Sequence, residues 1–213
     1  MPASRSLLLH PVAKPLVFVS CLLPAVWLVV AAATDQLGAN PAEALIRSTG
    51  DWTLRALCVV LAVTPLRVIA SAPALARFRR MLGLFVFFYV FLHALAYAWL
   101  DMGMDWADIA RDIGKRPFIL VGTLALALLA VLAGTSFQRA IRWLGGRRWQ
   151  ALHRSVYAVA GLGLLHFFWM RAGKNNVAEV GIYGAVLGLL LGWRLWRHLS
   201  ARASDRSPAV RRV

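Results

Sequence analysis

The sequence predicts an all-α membrane protein, a six-transmembrane-helix bundle with both termini in the cytoplasm. Three observations carry that prediction. Hydrophobic residues make up 60% of the 213 and charged residues only 15%, with mean hydropathy +0.65, whereas a soluble domain is about 45–50% apolar and about 25% charged. Six separate runs approach the roughly 20 apolar residues that a bilayer-crossing helix needs. Lys and Arg are unevenly divided between alternating loops, as the positive-inside rule requires. The same composition excludes a disordered tail, a collagen-like chain and, with only Cys21 and Cys58, a disulfide scaffold. A formal charge of +15 on a polar chain points to nucleic acid. On a chain built of apolar runs it points to membrane lipid, and no nucleic-acid partner is expected.

The first run, Leu16–Ala33, follows a short cytoplasmic segment, 1–15. Lys14 before it and Ala31-Ala32-Ala33 at its end resemble a cleaved signal, but a signal's apolar core spans about 7–15 residues. A longer run predicts a retained helix. The second run, Trp52–Ala70, carries Arg55 and Arg67 near its ends, where long side chains snorkel. Pro65 is expected to kink or end that helix. The third and fourth runs, Met81–Leu100 and Pro117–Phe137, contain no charged residue. The fifth is Gln150–Arg171 and the sixth Val177–Trp196, so one transmembrane domain covers 16–197 and a basic cytoplasmic tail follows at 198–213. Both cysteines lie in apolar runs and read as inert buried thiols.

The connections assign the sides. Arg5 and Lys14 precede run one; Arg67, Arg77, Arg79 and Arg80 attend the second connection; Arg139, Arg142, Arg147 and Arg148 fill the fourth; six more arginines follow from Arg194 onward. These sixteen face Arg47, Arg111, Lys115, Arg116, Arg171 and Lys174 on the other side. The basic side is the cytoplasmic one. The acidic residues gather outside, in a loop with Asp35, Glu43 and Asp51 and another with Asp101, Asp105, Asp108 and Asp112.

Ionisable residues inside a bilayer are costly and usually functional. His10 and His198 lie at polar margins, while His93, His153 and His166 lie in the runs. Runs three and five both travel outward. His93 precedes Leu100 by seven residues and His166 precedes Arg171 by five, so at about 1.5 Å per residue both sit roughly 8–10 Å from the outer end. Two helices offering one imidazole each at the same level suit a haem with two axial histidines. Zinc competes, but it generally takes three or four protein ligands, and no acid or thiol lies at that depth. The neighbouring Phe87, Phe88, Tyr89, Phe91, Tyr97, Phe167, Phe168 and Trp169 suit either a macrocycle's walls or ordinary packing. His153 is thirteen residues before His166, about 140° away on an ideal helix. A shared face requires distortion, for which Gly161 and Gly163 are candidates. Three roles for His153 stay open: ligation with another partner, contact with a second cofactor, or structure.

These features resemble the ferric-reductase-like transmembrane superfamily and, within it, the MsrQ (YedZ) family of haem-binding membrane subunits of bacterial methionine sulfoxide reductase systems. The stretches that match are Leu37-Gly38-Ala39-Asn40-Pro41, Thr49-Gly50, Thr64-Pro65, Arg79-Arg80-Met81-Leu82-Gly83-Leu84, Lys115-Arg116-Pro117-Phe118, Thr135-Ser136 and Arg148-Trp149-Gln150-Ala151-Leu152-His153, the last continuing to Val156-Tyr157 and His166. The resemblance implies haem b on His93, His153 and His166, with His93 and His166 as the axial pair on iron. It also implies FMN, an inner-membrane location, a quinone-pool or cytoplasmic flavin-reductase donor, and a periplasmic MsrP-like molybdopterin enzyme as acceptor. The chain departs from two-haem ferric reductases in lacking an inner histidine on the third helix, where Arg80 stands, and in lacking a soluble flavin and nicotinamide domain. With that gap, Arg79, Arg80, Arg147 and Arg148 become candidates for an FMN phosphate. Setting topology and holding anionic lipid is an equally complete account of them.

The expected function is therefore membrane electron transfer to an outer acceptor, docking on the loops Asp101–Arg116 and Arg171–Glu179. A ferric-reductase-like protein with another acceptor is the nearest alternative. A histidine-bearing transporter is disfavoured because the spans contain no internal acid before Glu179. An intramembrane metalloprotease needs a motif such as His-Glu-x-x-His, which is absent.

Overall fold

The structure, a computed structural model, describes residues 8–172 and 177–206. Arg5, Lys174, Arg211 and Arg212 of the charge division, and the tail beyond 206, lie outside the described residues. In chain order the helices are α1 (Ala13–Ala33), α2 (Pro41–Ile69), a 3₁₀ segment (Pro73–Phe78), α3 (Arg79–Ala96) continued by a π-helical turn (Tyr97–Asp101), α4 (Trp106–Lys115), α5 (Pro117–Gly134), α6 (Gln138–Leu144), α7 (Gly146–His153), α8 (Val156–Ala172) and α9 (Ala178–Arg206). Among the described residues there is no strand.

Five helices are long and apolar enough to cross a membrane: α1, α2, the unit Pro73–Asp101, α5, and α9 as far as Ala203. The fifth run is shorter than its apolarity suggested. Its helix α8 has 17 residues, at the lower edge of the roughly 17–25 that a crossing requires. The chain turns at Arg154–Ser155, where the Ser155 N–H bonds the Leu152 carbonyl at 2.9 Å, so Gln150–His153 belongs to the separate short helix α7. Helix α8 runs unbroken through Gly161 and Gly163, the two candidates for a distortion that would bring His153 and His166 to one face.

Helix α2 starts eleven residues before the apolar run, because capping rather than hydropathy sets its beginning. The Asn40 side chain accepts from the Glu43 N–H at 3.1 Å, and Pro41 occupies the first turn, where its missing N–H costs nothing. At its other end, Pro65 does not end the helix. The helix passes through Pro65 and ends at Ile69. A proline removes the hydrogen bond to the carbonyl four residues earlier, here that of Leu61. Arg194 on α9 donates to that carbonyl through Nη2, while Nη1 bonds the Leu190 carbonyl of its own helix at 2.7 Å. The orphaned acceptor is satisfied from a neighbouring helix, as a membrane interior demands.

Two antiparallel pairs form the centre of the bundle: α2 packs along α3, and α5 along α8. Helices α3 and α5 meet between the pairs, and α9 closes on both α2 and α8. Leu54, Leu57 and Leu61 of α2, Val86 and Val90 of α3, Leu129 and Leu132 of α5, Val159 and Ala160 of α8 and Leu187 of α9 make one buried cluster. Helix α1 is peripheral. It buries Ala25, Leu28 and Ala31 and is tied to α3 by the Tyr89 hydroxyl, which donates to the Cys21 carbonyl at 2.6 Å. Its exposed Leu16, Leu23, Trp27 and Val29 make an apolar outer face suited to lipid.

Candidate functional site

The two pairs each contribute one histidine to a shared cavity. His93 comes from α3 and His166 from α8, with ring centroids 6.1 Å apart and planes at 79°. His93 Nδ1 donates to the Ile46 carbonyl of α2 at 2.8 Å, and His166 Nδ1 donates to the Phe118 carbonyl of α5 at 2.7 Å. A carbonyl only accepts, so both rings carry their proton on Nδ1 and present a bare lone pair at Nε2. This is the arrangement that metal-ligating histidines adopt, the backbone fixing tautomer and ring orientation. The cavity has a volume of about 440 Å³, within the roughly 300–1,000 Å³ of small-molecule and cofactor sites.

These residues fit a haem. Two imidazoles on opposite sides of one metal ion, with metal–nitrogen bonds of about 2.0–2.1 Å, place their ring centroids roughly 6.3 Å apart, close to the spacing observed. The walls are mostly apolar, with Leu54, Leu57, Val90, Leu126, Leu129, Val159 and Phe167 among them. Zinc fits poorly: among the described residues no group of three or more His, Cys, Asp or Glu side chains is placed to hold a metal ion. Of the aromatic stripe, Tyr97 and Phe167 line the cavity. Phe88 and Tyr89 pack on each other, Tyr89 also stacking on Trp52, and Phe91, Phe168 and Trp169 are exposed.

One end of the cavity is polar, in a way the sequence did not reveal. Arg171, 8% exposed, sits against Glu179 at 2.6 Å and Asp51 at 3.7 Å, with its guanidinium 5.1 Å from the Phe167 ring centre. Beside it the Tyr97 hydroxyl donates to Asp112 at 2.6 Å, and Arg116 pairs with the same carboxylate at 2.9 Å. In the sequence these looked like loop charges. Only their placement at the cavity, which Asp51, Tyr97, Arg116 and Arg171 line, marks them out. Asp105 has a structural task, since its carboxylate caps α4 by accepting from the Ala107 and Asp108 N–H groups.

His153 stands apart from this pair. It ends α7, stacked on Trp149 at 4.1 Å, with Nε2 3.1 Å from the Thr135 hydroxyl. That hydroxyl commits its one proton to the Val131 carbonyl at 2.7 Å, so His153 Nε2 donates and carries the proton, the opposite tautomer to the cavity pair. Trp149 Nε1 donates to the Thr135 carbonyl at 2.8 Å, fastening α7 across the end of α5. Burial pushes the His153 imidazole below its ordinary range, and the Arg79 charge pushes it further the same way. Arg79, Arg80, Arg147 and Arg148 are all exposed.

A two-pair helical bundle with an imidazole from each pair lining one largely apolar cavity is an arrangement suited to holding a haem within a membrane. The comparisons with known proteins agree. Residues 49–164 match the family described as "Ferric reductase like transmembrane component". The chain is 68% identical to "Protein-methionine-sulfoxide reductase heme-binding subunit MsrQ" of Polaromonas naphthalenivorans, over 93% of this chain and 90% of that protein. It is 53% identical to the MsrQ of Bordetella pertussis (88% and 92%) and 48% identical to that of Rhodospirillum rubrum (91% and 92%). The chain belongs to the MsrQ family of heme-binding subunits, within the ferric-reductase-like transmembrane components. No solved structure matches it.

Proposed function

We propose that the chain is a haem b electron-transfer subunit of the bacterial inner membrane. It passes electrons from the cytoplasmic side, drawn from the quinone pool or a cytoplasmic flavin reductase, to a periplasmic MsrP-like molybdopterin enzyme that reduces methionine sulfoxide in oxidised proteins. The observation that carries this reading is the pair of imidazoles, His93 and His166, that line one cavity with ring centroids 6.1 Å apart, each backed by a carbonyl. A haem held there supplies a one-electron couple. The chain's own residues orient the ligands, keep water from the cavity through its apolar walls, and place charge at its polar end.

The packing of α8 against α5 and α9, both long enough to span, supports a sixth crossing. Arg77 donates to the Leu8 carbonyl near the N-terminus at 2.9 Å, which supports an N-terminus on the basic side, read as cytoplasmic. The polar end of the cavity then faces the periplasm, where the acceptor docks.

The test is oxidation of the reduced haem by the purified periplasmic partner supplied with methionine sulfoxide. Rapid reoxidation supports the reading, and a haem that stays reduced overturns it. Reversing Asp101 and Asp108 to Lys, with Asp105 left to cap α4, is expected to slow reoxidation several-fold at low salt and to flatten its salt dependence, because rim charges act on encounter.

A specific placement favours a second cofactor. Arg147 and Arg148 lie in the first turn of α7, whose N-terminus has no side-chain cap. Free N–H groups beside guanidiniums suit the phosphate of FMN. His153 then holds α7 in place through Thr135. Replacing Arg147 and Arg148, or Arg79 and Arg80, by Gln is expected to lower FMN per protein while haem is retained. Unchanged FMN in both variants leaves these arginines to topology and lipid.

A further inference from the structure

The two histidines rest on their neighbouring helices in the same way. Ile46 and Gly50 stand one turn apart on α2, and Phe118 and Gly122 one turn apart on α5. In an α-helix the carbonyl of residue i accepts from the N–H of residue i+4. Each imidazole therefore donates to a carbonyl whose helical partner is a glycine. A β-carbon on Gly50 would stand 3.1 Å from His93 Cε1 and 3.2 Å from its Nδ1. On Gly122 it would stand 2.9 Å from His166 Nδ1 and 3.0 Å from its Cε1. Gly163, which lines the same cavity, has nothing within 4 Å of such a carbon.

We propose that Gly50 and Gly122 are positioning residues for the two axial imidazoles, each leaving out the β-carbon that would push its histidine ring off the carbonyl. This rests on the reading of His93 and His166 as haem ligands. The Nδ1–H···O bond raises the basicity of the ligating Nε2, and a more basic ligand favours ferric over ferrous iron. Displacing the ring stretches that bond and turns the imidazole plane, so the midpoint potential rises and the low-spin ferric spectrum changes. The symmetry has a chemical sense: each helix pair orients its own ligand.

The experiment compares the purified full-length holoprotein with Gly50→Ala, Gly122→Ala and Gly163→Ala by haem per protein, electron paramagnetic resonance of the ferric state and redox titration. Alanine is a better helix former than glycine, so helix propensity does not itself impair the variants. The expected result is a positive shift in midpoint potential and altered g-values in Gly50→Ala. Gly122→Ala should shift further or lose haem while staying folded, and Gly163→Ala should match the parent. If Gly122→Ala does not accumulate, Gly50→Ala decides by the same readouts. Unchanged spectra and potentials in both cradle variants, or an equal shift in Gly163→Ala, overturn the proposal. A parent protein without a bis-histidine low-spin signal instead overturns the ligand assignment on which it rests.

Discussion

His93→Ala and His166→Ala proteins are expected to be isolated with most of their haem gone. Losing an outer hydrogen-bond partner alone costs about 10–100-fold in metal affinity, and losing the ligand removes more than that. Many of the cavity's walls are apolar, and among the polar groups that line it Arg116, Arg171, Asp51 and Tyr97 are already engaged with one another or with Asp112 and Glu179. The His153→Ala protein is expected to keep its haem, because His153 Nε2 is committed to Thr135 at the end of α5. Pyridine haemochrome measurement per mole of folded protein separates the three. Full haem content in both His93→Ala and His166→Ala would show that the iron is held elsewhere.

The second large effect lies far from the histidines. Arg194→Leu is expected to destabilise the bundle by about 2 kcal/mol, the cost of a buried carbonyl left without a donor. The carbonyl concerned is that of Leu61, orphaned by Pro65 and served by Arg194. The account makes a sharper claim through a double-mutant cycle. In a Pro65→Ala background, residue 65 recovers an N–H and closes the ordinary helical bond to Leu61. There, loss of Arg194 should cost less than about 1 kcal/mol, a coupling within the roughly 0.5–3 kcal/mol seen between residues that share a partner. Unfolding titrations in detergent measure all four proteins. Equal cost in both backgrounds would mean that Arg194 acts elsewhere, for instance through Tyr157, whose ring centre is 5.7 Å from its guanidinium.

The separation of this chain into apolar runs and charged loops was legible because bilayer solvation acts on each residue individually and sums along the run. The common level of His93 and His166 was legible too, since helical rise converts sequence distance into depth. What stayed hidden depends on a second helix. Pro65 reads as a terminator until Arg194 is seen beside Leu61. The break at Arg154–Ser155 is invisible in hydropathy, because Trp149 and His153 are drawn aside by Thr135, the residue just past the end of α5. Arg171 reads as a loop charge until Asp51 and Glu179 converge on it from α2 and α9. The beginning of α2 is a local signal that hydropathy overrode: Asn40-Pro41 with Glu43 announces a helix start well before the apolar run begins. Asp105 was likewise readable as a cap before α4 rather than as a docking charge.

The hydrogen bonds of His93 to α2 and of His166 to α5 divide the control of the cavity between two independent adjustments. How each ring is tilted is set within one helix pair, by a carbonyl and a glycine of the neighbouring helix. How far apart the rings stand is decided at the seam where α3 meets α5 and where α9 spans α2 and α8. Tilt and separation can therefore drift separately among relatives. A change of side-chain volume along the seam would alter the gap while leaving both tautomers fixed, and a change beside either carbonyl would turn one ring while leaving the gap alone.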